Sequence, residues 1–371
     1  VNSTYKVCLK KPDGRDLVLY SRTPIKEGMR APSPRENDKE QPERANPHLR
    51  WHALRGEWVA YASHRQNRTF LPPKEYNPLL PMKPGAFPTE LPEGNYDVAV
   101  FENLFPSLIL SADSAPNELG VKTEPGVGRC EVVVFTQDSE TSLGKLSLPH
   151  LELLIEVWAD RYQELGAREE IKYVLCFENR GVEVGVTLHH PHGQIYSYPF
   201  IPPIASRELE MSKEYFKKNG GRGLLEDLVA EELRVGTRVL YEGSHIAAFV
   251  PAAARYPYEV WIAPKKRLPS LASLGKPERE DLARALKTVI LKYDGLWQRP
   301  FPYLMALHQA PTDGEAHPES HFHFEFSPPY RTKDRLKYLA GTELAAGMFA
   351  NDSIPEEKAR ELQNVKVSLD V

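Results

Sequence analysis

The stretch Thr187-Leu188-His189-His190-Pro191-His192-Gly193-Gln194-Ile195-Tyr196 decides how the rest of the chain is read. His190, His192 and Gln194 stand at i, i+2 and i+4, and in an extended segment such residues project on one face. Just upstream, Val182-Glu183-Val184-Gly185-Val186-Thr187 has the β-branched content of a strand. Gly193 is expected to let a ligand approach the backbone. Imidazole is the side chain most readily switched between nucleophile, proton carrier and metal ligand near neutral pH. A run of histidines alone suits a metal site or surface decoration equally well. The Pro-His-Gly-Gln continuation is what points to chemistry.

Outward from this stretch, one order of elements occurs twice. The first copy has a strand at Glu131–Phe135, a helix from Pro149 to Leu165 with apolar residues at helical spacing, and a strand at Tyr173–Asn179 before the histidines. The second has Glu259–Ala263, Leu271–Leu274, a helix from Pro277 to Leu296, a strand at Tyr303–His308, and His321–Phe326. Aligning Tyr173 with Tyr303 sets the copies about 130 residues apart. The expected fold class is α+β, with two tandem repeats joined in one mainly antiparallel sheet and helices flanking it.

The residues around His192 suggest phosphorus chemistry. A neutral imidazole that displaces a leaving group from a phosphate ester forms a phosphoramidate and divides a hard transfer into two easier steps. A third histidine at position 194 would activate water and give a hydrolase. Gln194 makes hydrogen bonds but carries no titrating proton, so the pattern favours transfer to a second phosphate. In the other copy His321, His323 and Glu325 repeat the i, i+2, i+4 spacing with His308 upstream. Such a set suits Zn2+ or Fe2+, or a strand face with ordinary hydrogen-bond partners.

The flanks read more simply. Tyr5–Leu9 and Asp16–Tyr20 bracket a Pro12-Asp13-Gly14 turn and predict a hairpin. Residues 22–48 are dense in proline and charge, as an arm across a partner subunit or a linker would be. Glu57–Tyr61 alternates like a strand and leads to Arg65 and Arg68, which suit a diphosphate or an ordinary solvated strand end. Residues 71–96 read as a long loop, and Val98–Phe101 as a strand ending at Asn103-Leu104-Phe105. Residues 207–218, 223–234 and 334–346 have helical periodicity. Ser353 is expected to cap a last helix that starts at Pro355.

Composition narrows the class. The chain has 371 residues, 41% hydrophobic and 26% charged, which is ordinary for a globular protein. A net charge of −4 gives no reason to expect a nucleic-acid polymer. Cys8, Cys130 and Cys176 lie far apart without CxxC spacing, so a disulfide framework is not expected. No apolar run is long enough to span a bilayer, and no signal-peptide core stands at the start. The expected compartment is the cytoplasm.

The chain resembles the galactose-1-phosphate uridylyltransferase family of the histidine-triad superfamily from about Leu49 to Leu344. The resemblance rests on Phe177-Glu178-Asn179-Arg180-Gly181, His190-Pro191-His192-Gly193-Gln194-Ile195, Phe301-Pro302-Tyr303, His308 with Ala310-Pro311, and Pro328-Pro329. It implies histidine-triad-like halves at 49–203, with the nucleophile, and 204–371, with a metal site, after an N-terminal hairpin and arm at 1–48. It implies that His192 takes the uridylyl group from UDP-glucose, releases glucose 1-phosphate, and passes the group to galactose 1-phosphate to give UDP-galactose. The His190 carbonyl would orient His192, and Gln194 would hold the phosphoryl oxygens. Arg65, Arg68, Asn103, Phe105, Asn179, Gly185 and Thr187 would contact nucleotide or phosphates, and Lys337, Tyr338 and Glu343 the sugar side. Glu208, His308 and His323, with His321 or Glu325, would hold one structural Zn2+ or Fe2+. Such sites combine two subunits, so a homodimer is implied.

Some positions depart from the family pattern. No cysteine lies between Cys8 and Cys130, so a CxxC zinc site is not expected and His190 becomes a hydrogen-bonding scaffold. Leu104 replaces an acid and Thr342 a tyrosine, which leaves open a related phosphorylase or nucleotidyltransferase using another nucleotide sugar or dinucleotide. A nucleotide-binding protein without turnover is a third reading, and His192 with Gln194 argues against it.

Overall fold

The computed structural model describes residues 4–35, 45–67, 76–117 and 120–369. In chain order, the first half holds strands β1 (Tyr5–Lys10), β2 (Asp16–Ser21), β3 (His48–His52), β4 (Glu57–Tyr61), β5 (Val98–Glu102), β6 (Thr123–Pro125) and β7 (Arg129–Val134), helix α1 (Leu148–Gly166), then β8 (Tyr173–Arg180) and β9 (His192–Tyr198). Helices α2 (Pro203–Lys218) and α3 (Leu224–Val235) lead into β10 (Val239–Glu242), β11 (Ile246–Phe249) and β12 (Val260–Pro264). The chain continues through α4 (Lys276–Leu296), β13 (Tyr303–His308), β14 (His323–Ser327), β15 (Tyr330–Thr332), β16 (Arg335–Leu336) and α5 (Pro355–Asn364).

Eleven strands form one sheet in the order β1-β2-β5-β7-β9-β8-β13-β14-β12-β11-β10, with every pairing antiparallel. Beyond β1 the order runs outward alike from the β8–β13 seam, where Tyr303 faces Arg180 and Leu307 faces Cys176. The repeat seen in the sequence is therefore a pseudo-twofold within one sheet. β9 corresponds to β14, β7 to β12, and α1 to α4. The two helices pack against each other and bury Leu154, Trp158, Leu286 and Ile290 against one face of the sheet. Each such side chain contributes about 1.5–3 kcal/mol on burial. Along β9, Gly193, Ile195 and Ser197 turn into this core, and His192, Gln194 and Tyr196 face the other way.

Four expectations need correction. Val182–Thr187 is no strand: Val182–Val184 forms a 3-10 turn between Gly181 at φ 98° and Gly185 at φ 79°, and two left-handed residues cannot continue a pleat. Residues 334–346 are not one helix. They contain β16, which closes a short hairpin with β15, and a single π-turn at Thr342–Ala346. Leu339, Leu344 and Met348 stay exposed there, so no buried apolar face supports a longer helix. Ser353 does not cap α5, because Ile354 holds that place and the Ser353 hydroxyl bonds Asn351. His321 stands before β14 rather than within it.

All three cysteines are free. Among the described residues no helix is long and apolar enough to cross a membrane.

Candidate active site and metal-ligand group

β9 sets the geometry because its pleat alternates side chains between core and open face. His192 opens the strand. Its Nδ1 lies 2.6 Å from the carbonyl oxygen of His190. A carbonyl only accepts, so Nδ1 carries the proton and Nε2 keeps its lone pair. Desolvation holds the pKa of this ring below the ordinary imidazole value, against a smaller opposing effect of the His190 carbonyl. The ring is neutral at physiological pH, as a nucleophile must be. It lines a cavity of about 620 Å3 together with Asn179, Arg180, His190, Lys145 and Arg299.

The scaffold of His190 is explicit. Its ring is buried, with Nε2 2.7 Å from the Thr136 carbonyl and Nδ1 3.1 Å from the Asn77 amide nitrogen. His190 does not extend the strand face that begins at His192. Gly193 differs from its expected role too. A Cβ there would stand 2.8 Å from the Phe177 carbonyl oxygen and 2.8 Å from the Phe135 ring. Close strand packing, not ligand approach, requires the glycine.

Further along the open face, Gln194 Oε1 lies 3.5 Å from Asn103 Nδ2, and Asn103 Oδ1 accepts from the Phe105 backbone N–H at 2.9 Å. Arg65 Nη1 donates to the Phe105 carbonyl at 2.6 Å and reaches the Tyr196 hydroxyl at 3.4 Å. Arg65 also lines a second cavity of about 780 Å3 with His48, Arg50 and His64. Arg68 lies outside the described residues. Asn179, on β8, has a buried Oδ1 with no hydrogen-bond partner among the described residues, an acceptor available to a ligand. Gly185 ends the 3-10 turn, and the half-buried Thr187 follows on the way to the histidines.

Lys337 and Glu343 pair away from that cavity, and Tyr338 follows Lys337 in the chain. Lys337 Nζ is 3.3 Å from Glu343 Oε1, and Glu343 also accepts from Ala340 N–H and the Thr342 hydroxyl. Backbone N–H donors, chiefly that of Ala340, hold the Glu343 pKa down at about 2. Tyr338 is 76% exposed. None of the three lines the cavity beside His192.

In the second half, Glu208 on α2, His308 on β13 and His323 on β14 bring ligand atoms within 4.8 Å of one another. Glu208 Oε2 is 3.0 Å from His308 Nδ1, yet among the described residues that nitrogen and His323 Nδ1 are buried without a hydrogen-bond partner. Orphaned imidazole nitrogens beside a carboxylate fit a divalent cation. His321 and Glu325 have other partners. His321 Nε2 lies 2.9 Å from the Pro264 carbonyl, and Glu325 is salt-bridged to Arg255 at 2.8 Å. Glu325 is nevertheless buried beside the group, 3.5 Å from His323 Nε2 and 3.7 Å from His308 Nε2.

Sequence reasoning missed Asn77, the cavity cations Lys145, Arg180 and Arg299, and buried Glu178. Burial pushes the Glu178 carboxyl up to about 7, and it accepts from the Tyr303 hydroxyl at 2.9 Å. Glu178 and Arg180 stood inside the quoted Phe177–Gly181 block. Nothing local marked Asn77.

Two family models match the chain: the N-terminal domain of galactose-1-phosphate uridyl transferase over residues 37–202, and its C-terminal domain over 208–370. The galactose-1-phosphate uridylyltransferase of Thermotoga maritima is 39% identical over 326 residues, which is 86% of this chain and 99% of that protein. The enzyme of the same name from Streptomyces lividans is 35% identical over 368 residues, 96% of each chain. A solved uridylyltransferase structure superposes with a TM-score of 0.76 at 31% identity, over 86% of this chain and 98% of its own. An ADP-glucose phosphorylase from Arabidopsis thaliana shares the fold, with a TM-score of 0.64 at 23% identity over 86% of this chain and all of its own.

Proposed function

The chain belongs to the galactose-1-phosphate uridyl transferase family, and on that premise we propose that it moves a uridylyl group from UDP-glucose to galactose 1-phosphate through His192. His192 Nε2 forms a bond to the α-phosphorus while the bond from that phosphorus to the β-phosphate oxygen breaks and glucose 1-phosphate leaves. A phosphate oxygen of galactose 1-phosphate then attacks the same phosphorus. The N–P bond breaks, UDP-galactose forms, and the imidazole is neutral again. The observation that carries this reading is the 2.6 Å contact between His192 Nδ1 and the His190 carbonyl, which leaves Nε2 as the attacking atom.

The neighbouring residues take roles that follow from their chemistry. Gln194 donates its amide to non-bridging phosphoryl oxygens and supplies no proton to water. Asn103, Phe105, Asn179, Gly185 and Thr187 meet the nucleotide and phosphates, with Arg65 and Arg68 as cationic partners. Lys337, Tyr338 and Glu343 serve the sugar side of the partner subunit in a homodimer, which accounts for their separation from the cavity beside His192. The two halves divide near residue 203, where β9 gives way to α2, and the enzyme works in the cytoplasm on small phosphorylated sugars.

Glu208, His308 and His323 would hold one Zn2+ or Fe2+, and its charge would tie α2 to the sheet. The group stands apart from the cavity beside His192, so a cation there would brace the fold.

The experiment is incubation with UDP-glucose labelled in the uridylyl group, alone. An acid-labile label on His192 with one equivalent of glucose 1-phosphate released is expected, and transfer at the normal rate by His192→Gly would defeat the mechanism. Offering ADP-sugars as donors and inorganic phosphate as acceptor separates uridylyl transfer from a phosphorylase.

A further inference from the structure

We propose that Asn77 is a positioning residue for the nucleophile, acting through the ring of His190. The inference rests on His192 being the nucleophile, and it concerns what holds His190 still. Asn77 sits in the loop before β5, pinned by buried Leu79 and by the Glu90 N–H bond to the Pro78 carbonyl. Its side-chain oxygen accepts from the Leu79 N–H at 3.0 Å, which fixes the orientation of the amide. The NH2 end therefore faces His190 Nδ1 at 3.1 Å and donates to it. That nitrogen must carry a lone pair, so the ring proton sits on Nε2 and is given to the Thr136 carbonyl at 2.7 Å. Both ring nitrogens are fixed in one tautomer. The carbonyl of the same residue receives the His192 Nδ1–H.

The molecule contains its own comparison. His321 holds the matching place in the second half, two residues before His323, and its Nε2 meets the Pro264 carbonyl at 2.9 Å. Its Nδ1 is buried with no hydrogen-bond partner among the described residues. The carbonyl contact is common to both halves, and among the described residues the Asn donor occurs only where a nucleophile follows. Asp138 and Glu140 also act on the His190 ring and favour its charged form, as does the Thr136 carbonyl; burial opposes them. An amide donor at Nδ1 adds to the opposition, because it has no place for a second ring proton.

The test uses the full-length protein. In the unaltered enzyme, ring-nitrogen NMR is expected to report His190 as the Nε2–H tautomer. Asn77→Leu removes the donor. The first half-reaction should then slow about ten- to a hundredfold, the scale set by small misplacements of a reacting group, with KM for UDP-glucose nearly unchanged. Asn77→Asp is the discriminating variant, since a carboxylate bonds Nδ1 only when that nitrogen is protonated. Its rate should approach that of the unaltered enzyme while His190 is charged and fall as pH rises through the His190 pKa, which the new carboxylate raises in this variant. The unaltered enzyme should show no such fall. A normal half-reaction rate in Asn77→Leu, an Asn77→Asp profile parallel to the unaltered one, or an Nδ1–H tautomer in the unaltered enzyme each overturns the proposal. If His192→Gly still transfers, the functional reading fails instead, and the His190 tautomer is judged by NMR alone.

Discussion

The imidazoles of His308 and His323 face each other across the β13–β14 ladder, with ring centroids 5.1 Å apart and planes 12° from parallel. Register partners on adjacent strands hold the two rings, and Glu208 approaches from α2, so the three can meet only in the folded chain. Chelator treatment of enzyme loaded with Zn2+ or Fe2+ is expected to lower Tm by roughly 3–8 °C, the scale of losing a ligand present well above its Kd. The histidine label from UDP-glucose should still form. His323→Ala should lose bound metal by elemental analysis and show no further Tm drop with chelator. A chelated enzyme that cannot be uridylylated at all would move the cation into the reaction.

Gln194 faces the same side of β9 as His192 and brings no titrating proton. Gln194→His places an acid–base group two residues from the adduct, where such groups contribute on the order of 100- to 10,000-fold. The uridylyl-enzyme should then lose its label to water at least tenfold faster, read by quench-and-count after removal of free nucleotide. Equal lifetimes in the two proteins would mean that something other than residue 194 excludes hydrolysis.

Gly193→Ala places a methyl group against the Phe177 carbonyl and the Phe135 ring. The ring can yield, but the backbone oxygen belongs to the neighbouring strand. A loss of about 1–3 kcal/mol in unfolding free energy is expected, together with reduced kcat as His192 shifts. Denaturant titration and the half-reaction rate check the two parts.

His150, His190 and His192 all have pKa values held below the ordinary 6.5, with burial as the largest cause in each. These rings stay neutral in the native state while they charge in the unfolded chain. Their contribution to stability is complete above pH 6.5 and is lost as pH falls from 6.5 through the depressed native values. Each can steepen the slope by up to about 1.4 kcal/mol per pH unit in that window. Urea midpoints measured from pH 7.5 down to 5 should fall, and replacing His150 with Gln should make the fall shallower.

The sequence by itself determined the duplicated strand–helix–strand order, the helices α1 and α4, and the position of His192, because hydrophobic periodicity and a rare motif are local signals. It could not show that Val182–Val184 turns, since the left-handed glycines on either side answer to packing: a Cβ at Gly181 would meet Pro302 at 2.5 Å. Nor did local spacing separate His323, a member of the metal-ligand group, from His321, whose Nε2 faces a carbonyl on the neighbouring strand β12. Only tertiary structure decided which nitrogen of each histidine is free, because the partners Thr136, Asn77 and Pro264 lie dozens of residues away or more and reach the rings through the folding of the sheet and its loops.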